Sequence, residues 1–427
     1  MNYQEARSFI DEASKSGITL GLDNIKKLLH ELGNPQDELK FIHIAGTNGK
    51  GSVLAYTSTI LEIAGYKTGR YISPTVKTYR ERIQINRTNI SKEDFAKGVS
   101  IIKKAIKKMT DQGNLSPSVF EIETALGFWY FKNQGCDIVV METGMGGVND
   151  ATNVVKNTLA CIFTTVSRDH MEYLGNTTFA LTQAKAGIIK PGAHIILGQL
   201  PDISLKIFKD LAQPHQNPIH LPDWEAILIH QKQTSSTQTF SYKELSDITI
   251  NLLGHHQITN AILAITTIQA LKQKGFPVTD DKIKSGLAQT SWFGRISILQ
   301  EKNPTIILDG AHNQEAIRAL AQTLKSFPAQ KITGVMGVFK DKEITNMLAE
   351  IAPIFHTIHA IALPDAKRSL TAEELATHIK QAGIRWQSHQ TLESALETAI
   401  KETDVLVIFG SLSHLGAAQN WVFQNRK

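Results

Sequence analysis

Cysteine is nearly missing: Cys136 and Cys161 are the only two in 427 residues. Two thiols build neither a disulfide framework nor a cysteine-based zinc site, and both lie beside apolar strand-like runs, where cysteine serves as a small buried hydrophobe. Long hydrophobic runs are missing too. None approaches the roughly 20 residues a membrane span needs, and the first stretch, MNYQEARSFIDEASK, lacks the apolar centre of a secretion signal. The expectation is a cytoplasmic protein with no membrane role. Charge of one sign is scarce as well: 45 Lys and Arg against 40 Asp and Glu leave a formal +5. The dense stretch Lys103–Lys108 reads as a solvated helix face, too little to indicate a nucleic-acid partner. An anionic small substrate stays compatible with this balance.

What is present is ordinary globular composition, 42% hydrophobic and 20% charged, in a chain long enough for two or three domains. Short apolar runs alternate with longer helical patterns and predict an α/β fold. Lys40–Ala45 reads as a strand, Gly46–Gly51 as a turn, and Ser52–Ala64 as a helix stopped by Gly65. Phe120–Asn133 reads as a helix, Asp137–Met141 and Leu159–Val166 as buried strands, together giving a mostly parallel, doubly covered sheet. Lys206–Ser246 reads as a peripheral excursion of short strands and loops, and the helical pattern resumes over Leu252–Lys274. A second alternation, from strand Thr305–Leu308 to strand Val405–Phe409, predicts a smaller α/β domain. The boundary is placed near Ile296–Pro304, giving domains 1–296 and 297–427 with a ligand-binding cleft between them.

Ala45-Gly46-Thr47-Asn48-Gly49-Lys50-Gly51-Ser52 follows a strand and opens a helix. Glycines let backbone approach a polyphosphate, helix-start N–H groups bind its oxygens, Lys50 reaches the terminal phosphates, and Ser52 suits Mg²⁺. The spacing departs from the standard P-loop, with two residues between the first glycines and Gly51 inserted after the lysine; a tight glycine turn with a solvated lysine is the simpler alternative. Glu142, at the end of a buried strand, heads the glycine-rich run Thr143–Asn153. Its carboxylate suits Mg²⁺, although Asp150 has the alternative of merely capping a turn. Ser167-Arg168-Asp169-His170 ends a third strand at the same edge, His170 being either a metal ligand or a structural histidine. Leu253–Ala261 and Leu308–Asn313 read only as helix-capping turns.

In this order the segments resemble the folylpolyglutamate synthase/dihydrofolate synthase family of the wider Mur ligase group. The resemblance rests on GTNGKGS (46–52), YISP (71–74), RERI (80–83), ETGMGGVNDATNVV (142–155), DHMEYLG (169–175), KAGIIKPG (185–192), LLGHHQITNA (252–261), WFGR (292–295) and DGAHN (309–313). It implies a P-loop-type, mostly parallel sheet domain followed by a smaller Rossmann-like α/β domain, and a monomeric ATP-dependent ligase. The implied substrates are ATP, L-glutamate and a folate or dihydropteroate. Thr47, Asn48, Gly49, Lys50, Gly51 and Ser52 would hold the phosphates, and Asn260, Arg295, Asp309 and His312 the rest of the nucleotide. Ser52, Ser73, Glu142 and His170 would bind two Mg²⁺ ions. A monovalent cation and a carbamylated Lys185 are further family features, which makes Lys50, Lys185 and His170 the catalytic set. Phe120, Asp150, Thr152 and Asn153 would meet the acid substrate.

Four departures from the family pattern, Thr75, Val148, Ala184 and Phe293, fall on the substrate side more than on ATP. Two alternatives therefore stay open: a related ligase acting on another carboxylic acid, and a nucleotide-binding module without turnover. No guanine-reading Asn-Lys-x-Asp segment supports a GTPase.

Overall fold

Phe41–Ala45 (β1) is buried at every residue, as a continuous apolar run must be where helices cover both faces of a parallel sheet. The computed structural model describes residues 1–13, 21–169, 171–230, 236–301, 304–327, 329 and 331–425. Backbone contacts divide the chain into two units, Met1–Glu225 with Asn260–Leu287, and Ala226–Thr259 with Ala288–Lys427.

Among the described residues the first unit carries an eight-stranded sheet. Besides β1 it holds β2 (Thr68–Tyr71), β3 (Ile83–Ile85), β4 (Thr88–Asn89), β5 (Ile138–Glu142), β6 (Thr158–Phe163), β7 (His194–Leu197) and β8 (Ile219–His220). The order is β4-β3-β2-β5-β1-β6-β7-β8. β2, β5, β1, β6, β7 and β8 run parallel, with β3 and β4 forming an antiparallel edge. Register sets Ile44 beside both Glu142 and Ile162, so the segments leaving β1, β5 and β6 emerge at one edge. That is where a doubly wound sheet takes its ligands.

Helices Lys50–Ile63 and Val119–Asn133 are apolar nearly all round and almost wholly buried, the mark of helices packed inside a domain. A capping box between Ser118 and Glu121 starts the second of them. Its Phe128 meets Phe41 edge to face at 5.6 Å, tying helix to sheet in one core with Leu126, Phe131 and Met141. Lys103, Lys104, Lys107 and Lys108 are exposed on helix Lys92–Asp111 while Ala105 and Ile106 face inward, as the solvated-face reading expects.

The second unit combines a small antiparallel sheet, β9 (Ile227–His230), β10 (Gln238–Tyr242) and β11 (Leu245–Ile250), with a larger one. The larger sheet holds β12 (Ser297–Gln300), β13 (Thr305–Leu308), β14 (Ile332–Met336), β15 (Thr357–Ala360), β16 (Arg385–Ser388) and β17 (Val405–Phe409), ordered β12-β13-β17-β14-β15-β16. All but β12 are parallel. Phe355 stacks on Phe409 at 5.1 Å in its core.

Residues 226–259 group with the C-terminal part, and Leu253 packs in the core of Ile307, Met336 and Phe409. Two features differ from the sequence-based expectation. The excursion begins later than Lys206, because Asp202–Ala212 is a helix whose Phe208 and Ala212 belong to the first unit's core. β16 and helix Leu415–Gln424 were not expected at all. No helix among the described residues is long and apolar enough to cross a membrane.

Basic side chains gather locally around a cavity of about 850 Å³ in the second unit, lined by Lys331, Lys380, Arg385, Trp386, Lys401 and Glu402. Lys380 lies in the last turn of helix Ala372–Gln381 and Lys401 just beyond helix Leu392–Ala399. Cations there complement the helix dipoles, which accounts for Lys380 and Lys401.

Candidate active site

The loop after β1 is stapled to the chain leaving β6. Thr47 N–H donates to Thr165 O at 2.9 Å, Asn48 N–H to Thr165 Oγ1 at 3.0 Å, and Thr47 Oγ1 to Ser167 O at 3.0 Å. Gly49 then turns the chain at φ +89° into helix Lys50–Ile63, whose start has no side-chain cap and no acidic residue in its first turn. An uncapped N-terminus of this kind presents N–H donors and the positive end of the helix dipole to an anion. Lys50 arches back over the loop, donating from Nζ to Gly46 O at 2.8 Å and Thr47 O at 3.2 Å. Gly51 and Ser52 are buried in that first turn.

Lys185, in the last turn of helix Thr178–Ala186, is 3% exposed. Burial, reinforced by the charge of Lys50 and opposed by Asp169, pushes its amine down to about 8. Sequence spacing gives no sign that these two lysines, 135 positions apart, share one field.

Glu142 ends β5, is 4% exposed, and accepts from Ser73 N–H at 2.8 Å. Ser52 Oγ, close behind Lys50 in the helix, is buried without a hydrogen-bond partner among the described residues. A buried hydroxyl with an unused oxygen and a strand-end carboxylate are hard oxygen donors of the kind Mg²⁺ prefers, so these residues fit the ion. Among the described residues there is no cluster of three His, Cys, Asp or Glu that would hold a metal without them. His170 lies outside the described residues.

The glycine-rich run is held by the residues expected to touch substrate. Asp150 Oδ2 accepts from Met145 N–H at 2.8 Å, and Oδ1 accepts from both the N–H (3.0 Å) and the hydroxyl of Thr152. Asp150 caps the turn Ala151–Val154, and burial raises its carboxyl from the ordinary range against these donors. Asn153 Nδ2 donates to Val148 O and Gly187 O, both at 3.1 Å, while its Oδ1 accepts from Lys190 Nζ at 2.8 Å. All three side chains are thus engaged in fixing the loop. Phe120 seats directly on it: a β-carbon on Gly144 would lie 2.7 Å from Phe120 Cζ. Sequence reasoning missed the charged support beneath, where Arg82 pairs with the buried Glu123 at 3.0 Å and Tyr71 Oη lies 2.9 Å from Thr124 Oγ1. Of the departures, Val148 is exposed and its N–H donates to Ala184 O at 2.9 Å.

Asn260 belongs to the first unit and abuts Gly49. Arg295, Asp309 and His312 come together in the second. Asp309 leaves β13 buried, accepting from Ile296 N–H and Ala311 N–H, each at 2.8 Å, with its carboxyl raised by burial and lowered by Arg295. His312 Nδ1 lies 2.7 Å from Gly310 O. A carbonyl only accepts, so Nδ1 carries a proton.

Two family models match the chain: Mur ligase middle domain over residues 44–268, and Mur ligase, glutamate ligase domain over 294–412. The chain belongs to the Mur ligase family. Within that family it is 34% identical to a dihydrofolate synthase/folylpolyglutamate synthase of Bacillus subtilis, with 96% of each chain covered. It is 33% identical to a folylpolyglutamate synthase of Lacticaseibacillus casei, again with 96% of each covered. The fold matches Mycobacterium tuberculosis folylpolyglutamate synthase complexed with ADP and AMPPCP at a TM-score of 0.89 and 27% identity, covering all of both chains. It also matches E. coli FolC in complex with DHPP and ADP at a TM-score of 0.86 and 26% identity, over 100% and 99% of the two chains. This Mur ligase is therefore an ATP-dependent ligase of the folylpolyglutamate synthase/dihydrofolate synthase kind, and the α/β, parallel-rich architecture expected from its motifs is the one observed.

Proposed function

We propose that this Mur ligase uses ATP to join L-glutamate to the γ-carboxyl of a (tetrahydro)folate, and to dihydropteroate as a second acid. The observation that carries this reading is the strand-end arrangement: an uncapped helix start with Lys50 over the loop, a Ser52 hydroxyl unpartnered among the described residues, and Glu142 held by Ser73. A carboxylate resists amide formation because its oxygen is a poor leaving group. Its attack on the γ-phosphorus expels ADP and gives an acyl phosphate; the uncharged amine of glutamate then attacks the acyl carbon and expels phosphate, losing a proton to solvent. The loop N–H groups and Lys50 hold the phosphates and neutralise charge spreading over the transferred group.

Ser52, Ser73 and Glu142, together with His170, would hold Mg²⁺, which when bound supplies further charge neutralisation at the phosphoryl oxygens. Lys185 is suited to carbamylation: a depressed amine is about half uncharged near pH 8 and adds CO₂ with loss of a proton, turning a cation into an anionic oxygen donor. We assign Asn260, and in the second unit Arg295, Asp309 and His312, to the nucleotide. Phe120 and the loop fixed by Asp150, Thr152 and Asn153 are assigned to the acid. Two unpaired cysteines, one fully buried, suit the reducing cytoplasm.

An ADP-release assay over folates, dihydropteroate and amino acids tests the reading. Glutamate- and folate-dependent turnover that disappears in Lys50→Ala supports it. Turnover with glutamate but without stimulation by any pterin acid points instead to a ligase for another carboxylic acid, which the departures Thr75 and Val148 make the second reading. An undiminished rate in Lys50→Ala overturns the phosphate assignment.

A further inference from the structure

Histidine is an odd occupant of β1. In Phe-Ile-His-Ile-Ala every residue is buried, His43 is 0% exposed, and its Nδ1 has no hydrogen-bond partner among the described residues. An apolar residue would fill the position without leaving a ring nitrogen unpaired. The other nitrogen explains its presence: Nε2 lies 2.8 Å from Thr152 Oγ1, 109 residues along the chain.

Three donors converge on Asp150 and favour its carboxylate form, and with Asp150 ionised the proton count along this contact is fixed. Thr152 has one hydroxyl proton, and its oxygen also contacts Asp150 Oδ1, a carboxylate oxygen already receiving Thr152 N–H. The hydroxyl proton therefore goes to Asp150, and the hydroxyl oxygen must accept from His43. His43 is neutral with its proton on Nε2. The relay runs His43 Nε2–H to Thr152 O–H to Asp150, whose second oxygen holds Met145 N–H.

We propose that His43 is a positioning residue for the acid substrate, fixing the glycine-rich turn 144–148 through Thr152 and Asp150. The inference rests on the assignment of that turn to the acid. Gly144 lies against Phe120, and a β-carbon on Gly147 would sit 2.7 Å from Lys185 O, so displacement of the turn reaches both. The phosphate loop begins only three residues after His43, yet it is stapled independently by Thr165 and Ser167. His43 thus acts on the more distant partner in sequence and spares the nearer one.

Substitution by leucine removes the donor, whereas glutamine returns an N–H near the position of Nε2. His43→Leu is expected to raise KM for the acid about ten-fold with KM for ATP changed less than about two-fold, and His43→Gln to recover most of the loss. Equal increases in both KM values, or a glutamine variant no better than leucine, overturn the proposal. Should the variants not fold, the wild-type protein decides it: ¹⁵N-resolved imidazole spectra near neutral pH are expected to show the His43 proton on Nε2, and a proton on Nδ1 overturns the relay. Absence of turnover with every pterin acid in the wild type would instead defeat the substrate reading, leaving the spectrum as the test of the relay.

Discussion

Gly49 and Asn260 stand so close that a β-carbon on Gly49 would lie 2.6 Å from Asn260 Oδ1. The contact joins the phosphate loop to helix His255–Leu271 across 211 positions of sequence. Gly49 also holds φ +89°, a conformation other L-residues adopt at a cost. Gly49→Ala should therefore weaken ATP binding by at least about ten-fold, since both the contact and the backbone angle oppose the native loop. Calorimetric titration with ATP checks this; affinity equal to wild type would show that the loop tolerates the displacement.

The hydroxyl of Ser52, unpartnered among the described residues, makes Ser52→Ala informative. Deleting a buried hydroxyl that bonds to no described residue removes none of the hydrogen bonds seen, so the melting temperature of the free protein should stay within about 2 °C of wild type. The stabilisation gained on adding Mg²⁺ and ATP should be smaller in the variant, because ligand linkage scales with affinity. Thermal melts with and without Mg²⁺–ATP measure both. A large loss in the free protein would indicate a structural hydroxyl.

Burial pushes His43 down to about 3, and His256 and His414 to about 4. Their folded values lie below the ordinary 6.5, so between these limits the unfolded chain binds more protons than the folded one. Their contribution to stability is complete above pH 6.5 and is lost as pH falls toward 4, with a slope of about 1.4 kcal/mol per pH unit for each histidine that gains its proton only on unfolding. Urea unfolding midpoints from pH 7 to pH 4.5 test the sign. A flatter acid limb is expected in His43→Gln; an unchanged slope would place the proton elsewhere.

Lys185, down to about 8, gives a second window with a different readout. Its amine loses charge as pH rises through that value, so carbamate formation should increase from pH 7 to pH 8.5. ¹³CO₂ labelling should give a carbamate carbon resonance that grows over this range and is missing in Lys185→Arg. A resonance of the same size in the variant would assign it to another amine.

Strand ends were legible because each carries its own chemistry: Gly46–Ser52 after β1, Glu142 at the end of β5, and the Ser167–Asp169 segment after β6 all follow buried apolar runs. β16 was not legible, since Arg385, Trp386, Gln387 and Ser388 are all exposed and an edge strand needs no apolar alternation. Lys206–Ser246 reads as an excursion of short strands and loops, and β9 and β10 lie within it, but which core residues 226–259 join depends on Leu253, a long-range contact with no local pattern. The same holds inside the site. Asp150 was visible as a carboxylate, while its attachment through Thr152 to His43 required the sheet to bring positions 43 and 152 together.

The two units are interleaved in the chain, each being built from two separated stretches. During synthesis the first cannot be completed until Asn260–Leu287 has left the ribosome, by which time β9–β11 have been made ahead of the rest of their own unit. Leu253, buried in the finished protein in one core with Ile307, Met336 and Phe409, is synthesised ahead of all three. Expression of either unit alone as one continuous fragment would consequently carry a foreign piece or lack its own, and only a circularly permuted or loop-bridged chain would isolate it.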